Sequence, residues 1–267
     1  MKFALVLLTA VTCTLANPLA AQVRENQAAK SILDDSPYSG TLLVYKESDG
    51  YFQAGHSELA SKALIPASTF KIVSAMIALD TEVVPDANTV LPWDGVTRSR
   101  PEINKDLDLV SAFRVSALPH FQALVRQIGP STMQQYIDAF GYGNQDISGG
   151  DDIFWIAGNI KISPIEQIEL LRKLYRDDLP VRPEVMSSVK HMMISEETED
   201  YVIRSKTGLA VLDGEHNVGW WVGWVEQGDE RVFFASALEA VSPGDDFIPA
   251  RIRLMREFLQ TLGVLEN

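Results

Sequence analysis

Strand-like runs sit near the two ends of this chain, with helical periodicity between them, and that arrangement limits the folds open to it. Ser39 to Glu47 and Tyr51 to His56 are rich in β-branched and aromatic residues and flank Ser48-Asp49-Gly50, which predicts a hairpin. Towards the C-terminus, Tyr201 to Lys206, Asn217 to Glu226 and Arg231 to Glu239 read as strands, the last two joined by the turn Gln227-Gly228-Asp229-Glu230. Consecutive strands joined by short turns run antiparallel. Helices are predicted between the two blocks. They cover Ser68 to Leu79, Ser116 to Ile128 (stopped by Gly129-Pro130), Thr132 to Phe140 with Gly141 as the C′ residue, and Pro183 to Met193. Pro164 to Tyr175 is signed most clearly, with Ser163 as N-cap, Pro164 at the first helical position and Glu166 completing a capping box. An amphipathic helix closes the chain from Ala250 to Leu262. The expected fold class is therefore α+β, in three α/β/α layers. An antiparallel sheet from both chain ends is flanked by N- and C-terminal helices, and a mostly helical lobe is inserted at about residues 81–195. A cleft between two such lobes is a natural ligand site.

A chain of 267 residues that is 46% hydrophobic can bury a full core. Its formal charge of -13 argues against nucleic acid and against an anionic membrane surface as partners. The first residues read as a secretory signal: Lys2, an apolar run from Phe3 to Ala16, and small residues at Ala16, Ala20 and Ala21. The run is shorter than the roughly 18–20 apolar residues that a membrane span needs. Residues 1–21 are expected to be removed, leaving 22–267 as one exported domain. The single cysteine, Cys13, lies inside the signal, so the processed chain would carry no thiol chemistry. Its four histidines, His56, His120, His191 and His216, show no paired spacing, and no metal site is expected.

Four short motifs carry candidate chemistry. Ser68 and Lys71 are spaced i, i+3 and so share a helix face, where one can act as base for the other. Ser68 would sit at the positive end of its helix, where backbone N–H groups can serve an oxyanion. Lys71 lies among Phe70, Ile72, Val73 and Met76, a poor place for an ammonium. A second such pair, Ser187/Lys190, reads as a solvated helix face. Lys206-Thr207-Gly208 ends a strand and offers a charge, a hydroxyl and room for a ligand, although a plain strand end with a surface lysine explains it as well. Ser116-Ala117-Leu118 opens a helix, where a serine is also an ordinary N-cap. Tyr142-Gly143-Asn144 lies in a glycine-bearing loop and could be a turn.

In this order and spacing, the motifs resemble the penicillin-recognising serine enzymes and, within them, the class D (oxacillinase-type) β-lactamases. The resemblance covers nearly the whole chain after the signal. It rests on Ser68-Thr69-Phe70-Lys71, on Ser116 followed by Phe121-Gln122 and Arg126-Gln127-Ile128-Gly129, and on Tyr142-Gly143-Asn144. It continues through Phe154-Trp155, Ile162-Ser163 with Glu166-Gln167, Lys206-Thr207-Gly208 and the run Gly219 to Trp224. Class A relatives carry Ser-Asp-Asn in the middle position, a motif this sequence lacks.

The resemblance implies a β-lactamase/transpeptidase-like fold and a serine hydrolase that opens β-lactams through an acyl-enzyme on Ser68. It implies N-carbamylation of Lys71 by CO2 or bicarbonate, with no other cofactor. The carbamate would be the general base, held by the Trp155 indole. Ser116, with Lys206 nearby, would relay a proton to the leaving nitrogen. Thr207, Gly208 and Arg251 would bind the substrate carboxylate side, Leu118 would form an apolar wall, and the backbone N–H groups of Ser68 and Leu209 would form the oxyanion hole. The expected partner is a small β-lactam, in a periplasmic monomer or homodimer of the Gram-negative type. Two departures stand out: Leu118 where the family usually has valine, and Leu209 where it often has an aromatic or small residue. Competing readings are a β-lactam sensor domain, which needs spanning helices before it, and a D-Ala-D-Ala peptidase.

Overall fold

A computed structural model describes residues 23–266; the expected signal segment, with Cys13, lies outside the described residues. Seven strands form the main sheet: Val23–Glu25 (β1), Ser39–Lys46 (β2), Phe52–Gly55 (β3), Ile194–Glu197 (β6), Val202–Leu212 (β7), His216–Gln227 (β8) and Glu230–Val241 (β9). Their order is β1-β3-β2-β9-β8-β7-β6, so the N-terminal hairpin joins the C-terminal meander through the β2–β9 pair. Every pairing is antiparallel except that of β1 with β3. This corrects the all-antiparallel expectation at one edge. β1 is three residues long and is followed by Gln27–Asp34 (α1), a helix whose Asn26 N-cap accepts from Ala28 and Ala29 N–H. The passage through α1 and β2 returns β1 to run alongside β3.

The sheet is covered on both faces. On β9, Phe233, Ala235 and Ala237 turn to one side, while Phe234 and Leu238 turn to the other. One side packs on α1 and on Phe247–Thr261 (α9), through Leu254, Met255 and Phe258. The other carries the helical lobe: Lys71–Asp80 (α2), Leu109–Arg114 (α3), Leu118–Ile128 (α4), Pro130–Phe140 (α5), Phe154–Ala157 (α6), Pro164–Tyr175 (α7) and Pro183–Met192 (α8). A two-stranded ribbon, Val90–Leu91 (β4) with Leu107–Asp108 (β5), lies within this lobe. The capping box predicted for α7 forms in full, and Gly141 closes α5 at φ 63°.

Two features position the site. β7 is paired with β8 along its whole length, whereas β6 meets only its first residues, Val202 to Arg204. The rest of that edge faces the turn Ala67–Phe70. There, a Cβ on Gly208 would stand 2.9 Å from the Pro66 carbonyl oxygen. The glycine of Lys206-Thr207-Gly208 is thus required by the close approach of the Ser68 turn, rather than by room for a ligand.

Candidate active site

Ser68 does not open an α-helix as expected. It lies in a 3-10 turn, Ala67–Phe70, and α2 begins at Lys71. The turn is entered through Ala67 at φ 51°, a left-handed conformation that a non-glycine residue holds only when its surroundings impose it. They do so from three sides. The Trp220 indole of β8 donates to the Ile65 carbonyl at 2.8 Å. Thr69 Oγ1 donates to the Pro66 carbonyl at 2.7 Å and accepts from Gln167 Nε2 of α7 at 2.8 Å. The half-buried Ser68 is therefore held on a rigid platform, with Lys71 Nζ 3.0 Å from its Oγ.

Lys71 is fully buried, and no carboxylate pairs with it among the described residues. The Phe121 ring lies 5.2 Å from its amine. Burial, with a smaller contribution from the Arg100 charge, lowers its pKa from 10.5 to about 7. An amine so placed is half neutral near neutral pH, as a nucleophile or base requires. Trp155, on the one-turn helix α6, stacks on Phe70 with ring centroids 5.6 Å apart. Its indole N–H is buried and has no acceptor among the described residues. A buried donor lacking a partner and a buried amine lacking a counter-charge are complementary deficits. An anionic group on Lys71 fits the chemistry of both.

Ser116 is also placed differently from the expectation. Helix α4 starts at Leu118, and Ser116 belongs to the end of α3. The Ser116 N–H donates to the Phe113 carbonyl at 3.2 Å and the Ala117 N–H to the Ala112 carbonyl at 2.8 Å. These two bonds make a Schellman closure with Ser116 at C′, the position glycine usually takes. Ser116 accordingly has φ 56°. The turn presents its hydroxyl to Lys206 Nζ, 2.6 Å away across the lobe boundary. Burial, then the charges of Lys71, Arg251 and Arg100, drive the Lys206 amine well below the usual lysine range. Two hydroxyls thus each face a nearly buried lysine, and the mutual repulsion disfavours both lysines being charged at once.

The remaining predicted residues sort into rim and scaffold. Thr207, Gly208 and Leu209 follow Lys206 on the β7 edge. Arg251 sits in the second turn of α9, which begins at Phe247 rather than near Ala250, and its Nη1 donates to the Gly208 carbonyl. Burial lowers its pKa to about 10, and its Nε has no partner among the described residues. Leu118 is half-buried at the first position of α4 and packs on the lobe's core. A cleft of about 520 Å³ opens beside Lys206 and Thr207, walled by Phe113 and Arg114 on one side and Met193 and Ser195 on the other; Ser68 and Lys71 lie outside its walls.

Tyr142-Gly143-Asn144 is structural. Tyr142 is buried edge-on against Phe70, and burial pushes its phenol far above the usual range. A Cβ on Gly143 would fall 1.9 Å from the Lys161 carbonyl oxygen. Asn144 receives the Lys161 N–H and donates to the Asn159 carbonyl. The motif stitches its loop to residues 159–161 and backs the Phe70–Trp155 stack. Lys190 of the second Ser-x-x-Lys pair bonds Asp177 rather than Ser187. Thr69 and Trp220 stand in sequence only inside the motifs that carry the resemblance; their bracing role is not legible there, because it runs through bonds to Gln167 and to the Ile65 carbonyl.

Comparison with known proteins agrees with this geometry. The profile of the penicillin binding protein transpeptidase domain matches residues 35–259. Beta-lactamase OXA-48 of Klebsiella pneumoniae is 39% identical over 242 residues, covering 91% of this chain and 90% of its own. Beta-lactamase OXA-10 of Pseudomonas aeruginosa is 35% identical over 257 residues, covering 96% of each chain. Among solved structures, the class D β-lactamase YbXI from Nostoc superposes with a TM-score of 0.83 at 35% identity, over 90% of this chain and 98% of its own. FUS-1 (OXA-85), a class D β-lactamase from Fusobacterium nucleatum, gives 0.87 at 31% identity, over 91% of this chain and 100% of its own. Serine–lysine geometry, fold and sequence thus converge, and the chain belongs to the class D β-lactamases of the penicillin-binding transpeptidase family.

Proposed function

We propose that the protein hydrolyses penicillins and related β-lactams through an acyl-enzyme on Ser68, with N-carbamylated Lys71 as general base. One observation carries the reading: Lys71 is wholly buried with no carboxylate partner among the described residues, and its amine stands 3.0 Å from the Ser68 hydroxyl. Burial keeps the amine sufficiently neutral to take up CO2, and the unpartnered Trp155 N–H supplies a donor for the resulting anion. The carbamate supplies a proton acceptor for the serine hydroxyl and later for water.

Ser68 Oγ bonds to the lactam carbonyl carbon as its proton leaves towards the Lys71 side. The carbonyl oxygen collects negative charge and is received by the N–H groups of Ser68 and Leu209. The C–N bond breaks, and Ser116 gives its proton to the departing nitrogen while drawing on Lys206, which touches it at 2.6 Å. Thr207 and Arg251 hold the substrate carboxylate, Gly208 lets the β7 edge approach the Ser68 turn, and Leu118 excludes water from the apolar wall. Water then attacks the ester and frees Ser68. Export to the periplasm follows from the N-terminal reading, and Edman sequencing of the periplasmic protein checks the cleavage expected near Ala21.

Incubation with a chromogenic cephalosporin, with and without bicarbonate, tests the function. Many turnovers stimulated by bicarbonate are expected. A single stoichiometric burst with a lasting adduct would instead identify a β-lactam sensor, and inertness towards the cephalosporin with cleavage of a D-Ala-D-Ala peptide would identify a peptidase.

A further inference from the structure

The left-handed turn at Ser116 has an outside brace. Val115, the C-cap of α3, turns its carbonyl towards Arg100, whose Nη2 donates to it at 2.6 Å. Arg100 Nε is engaged at the same time by Glu102 Oε1 at 2.8 Å, so the guanidinium is held at two points. Pro101 starts the 3-10 turn Pro101–Ile103 immediately afterwards and fixes the direction from which Arg100 reaches across. The cation also stands at the C-terminus of α3, where the helix dipole favours it.

We propose that Arg100 is a positioning residue: by holding the Val115 carbonyl, it keeps Ser116 in the left-handed C′ conformation that aims its hydroxyl at Lys206. A non-glycine residue at φ 56° costs on the order of 1 kcal/mol, so without the brace the turn relaxes towards geometries that swing Ser116 Oγ off Lys206. Arg100 is exposed, at 48% of its side-chain surface, so its hydrogen bonds rather than packing hold it in place. Its charge reaches the same pair of amines, contributing to the lowered pKa of both Lys71 and Lys206.

The inference rests on the proposed acyl transfer, in which Ser116 protonates the leaving nitrogen. Steady-state kinetics of the full chain with a chromogenic cephalosporin in saturating bicarbonate test it, alongside melting temperatures. Arg100→Ala is expected to lower kcat by about 10- to 100-fold, the scale of an ångström's misplacement of a reacting group, with KM changed far less. Arg100→Lys, which keeps a charged donor, is expected to recover most of the loss at an unchanged melting temperature. Arg100→Met keeps side-chain bulk without a donor and carries the same expectation should Arg100→Ala fail to fold. A kcat within twofold of wild type in the donor-less variants overturns the proposal. So does a loss confined to KM, which would make Arg100 a substrate contact, or an Arg100→Lys enzyme as slow as the donor-less ones. Absence of turnover in the wild type would instead refute the proposed function itself.

Discussion

Lys71 is a liability for folding that the site turns to use. Removing a lysine from water into a fully buried position opposes its charged form, and no acid among the described residues compensates it. Replacing it with an apolar side chain of similar length should relieve that cost. Lys71→Met is expected to be more stable than wild type by on the order of 2 kcal/mol in bicarbonate-free buffer at pH 7, while losing deacylation entirely. Thermal melting and acyl-enzyme lifetime measure the two effects, and a less stable variant, or one that turns over rapidly, contradicts the account. At this scale the sequence was informative where residue type alone sets the chemistry. The apolar neighbours Phe70, Ile72, Val73 and Met76 already announced a perturbed lysine. Backbone conformation was less visible. Neither Ala67 nor Ser116 looks left-handed in sequence: the bonds that brace Ala67 come from Trp220 and Gln167, far away in the chain, and Ser116 closes a helix end that Arg100 braces from outside.

Among elements, the Ser68 turn and the β7 edge are fitted to one another at Gly208. The glycine has no room for a Cβ, since the Pro66 carbonyl, Thr69 and Trp220 all lie within 3.2 Å of where one would be. Gly208→Ala is expected to push the Ser68 turn away from β7 and to reduce kcat/KM by about 100-fold or more, at a stability cost of about 1–3 kcal/mol. Near-wild-type kinetics would show that the two elements move independently. Periodicity located most of the larger elements, and the α7 capping box was readable from Ser163, Pro164 and Glu166. The short ones escaped: α3 and α6 span only six and four residues and exist because tertiary contacts hold them. The helix expected to begin at Ser116 starts two residues later, since a serine in a C′ turn and a serine at an N-cap look alike in sequence.

Across the whole molecule, the sheet divides two cores, and the site lies where the helical lobe meets its β7 edge. Stability and activity should therefore answer to the same titration. The folded pKa of Lys71 is about 7 against 10.5 for an ordinary lysine, so the unfolded chain binds the extra proton between these values. The burial penalty is complete below pH 7 and fades as pH rises towards 10.5. The stability advantage of Lys71→Met over wild type should shrink over that window, and a constant difference would exclude Lys71 as its source. Turnover at limiting bicarbonate should rise between about pH 6 and 8 as the neutral amine accumulates. On the proposed mechanism, this neutral amine captures CO2 and Trp155 holds the product. Carbon-13 NMR of the purified protein in labelled bicarbonate tests it most directly. One slow-exchanging carbamate resonance is expected, growing with pH in step with turnover, weakening in Trp155→Phe and absent from Lys71→Met. A fully active enzyme with no such resonance, or one that persists in Lys71→Met, would contradict it.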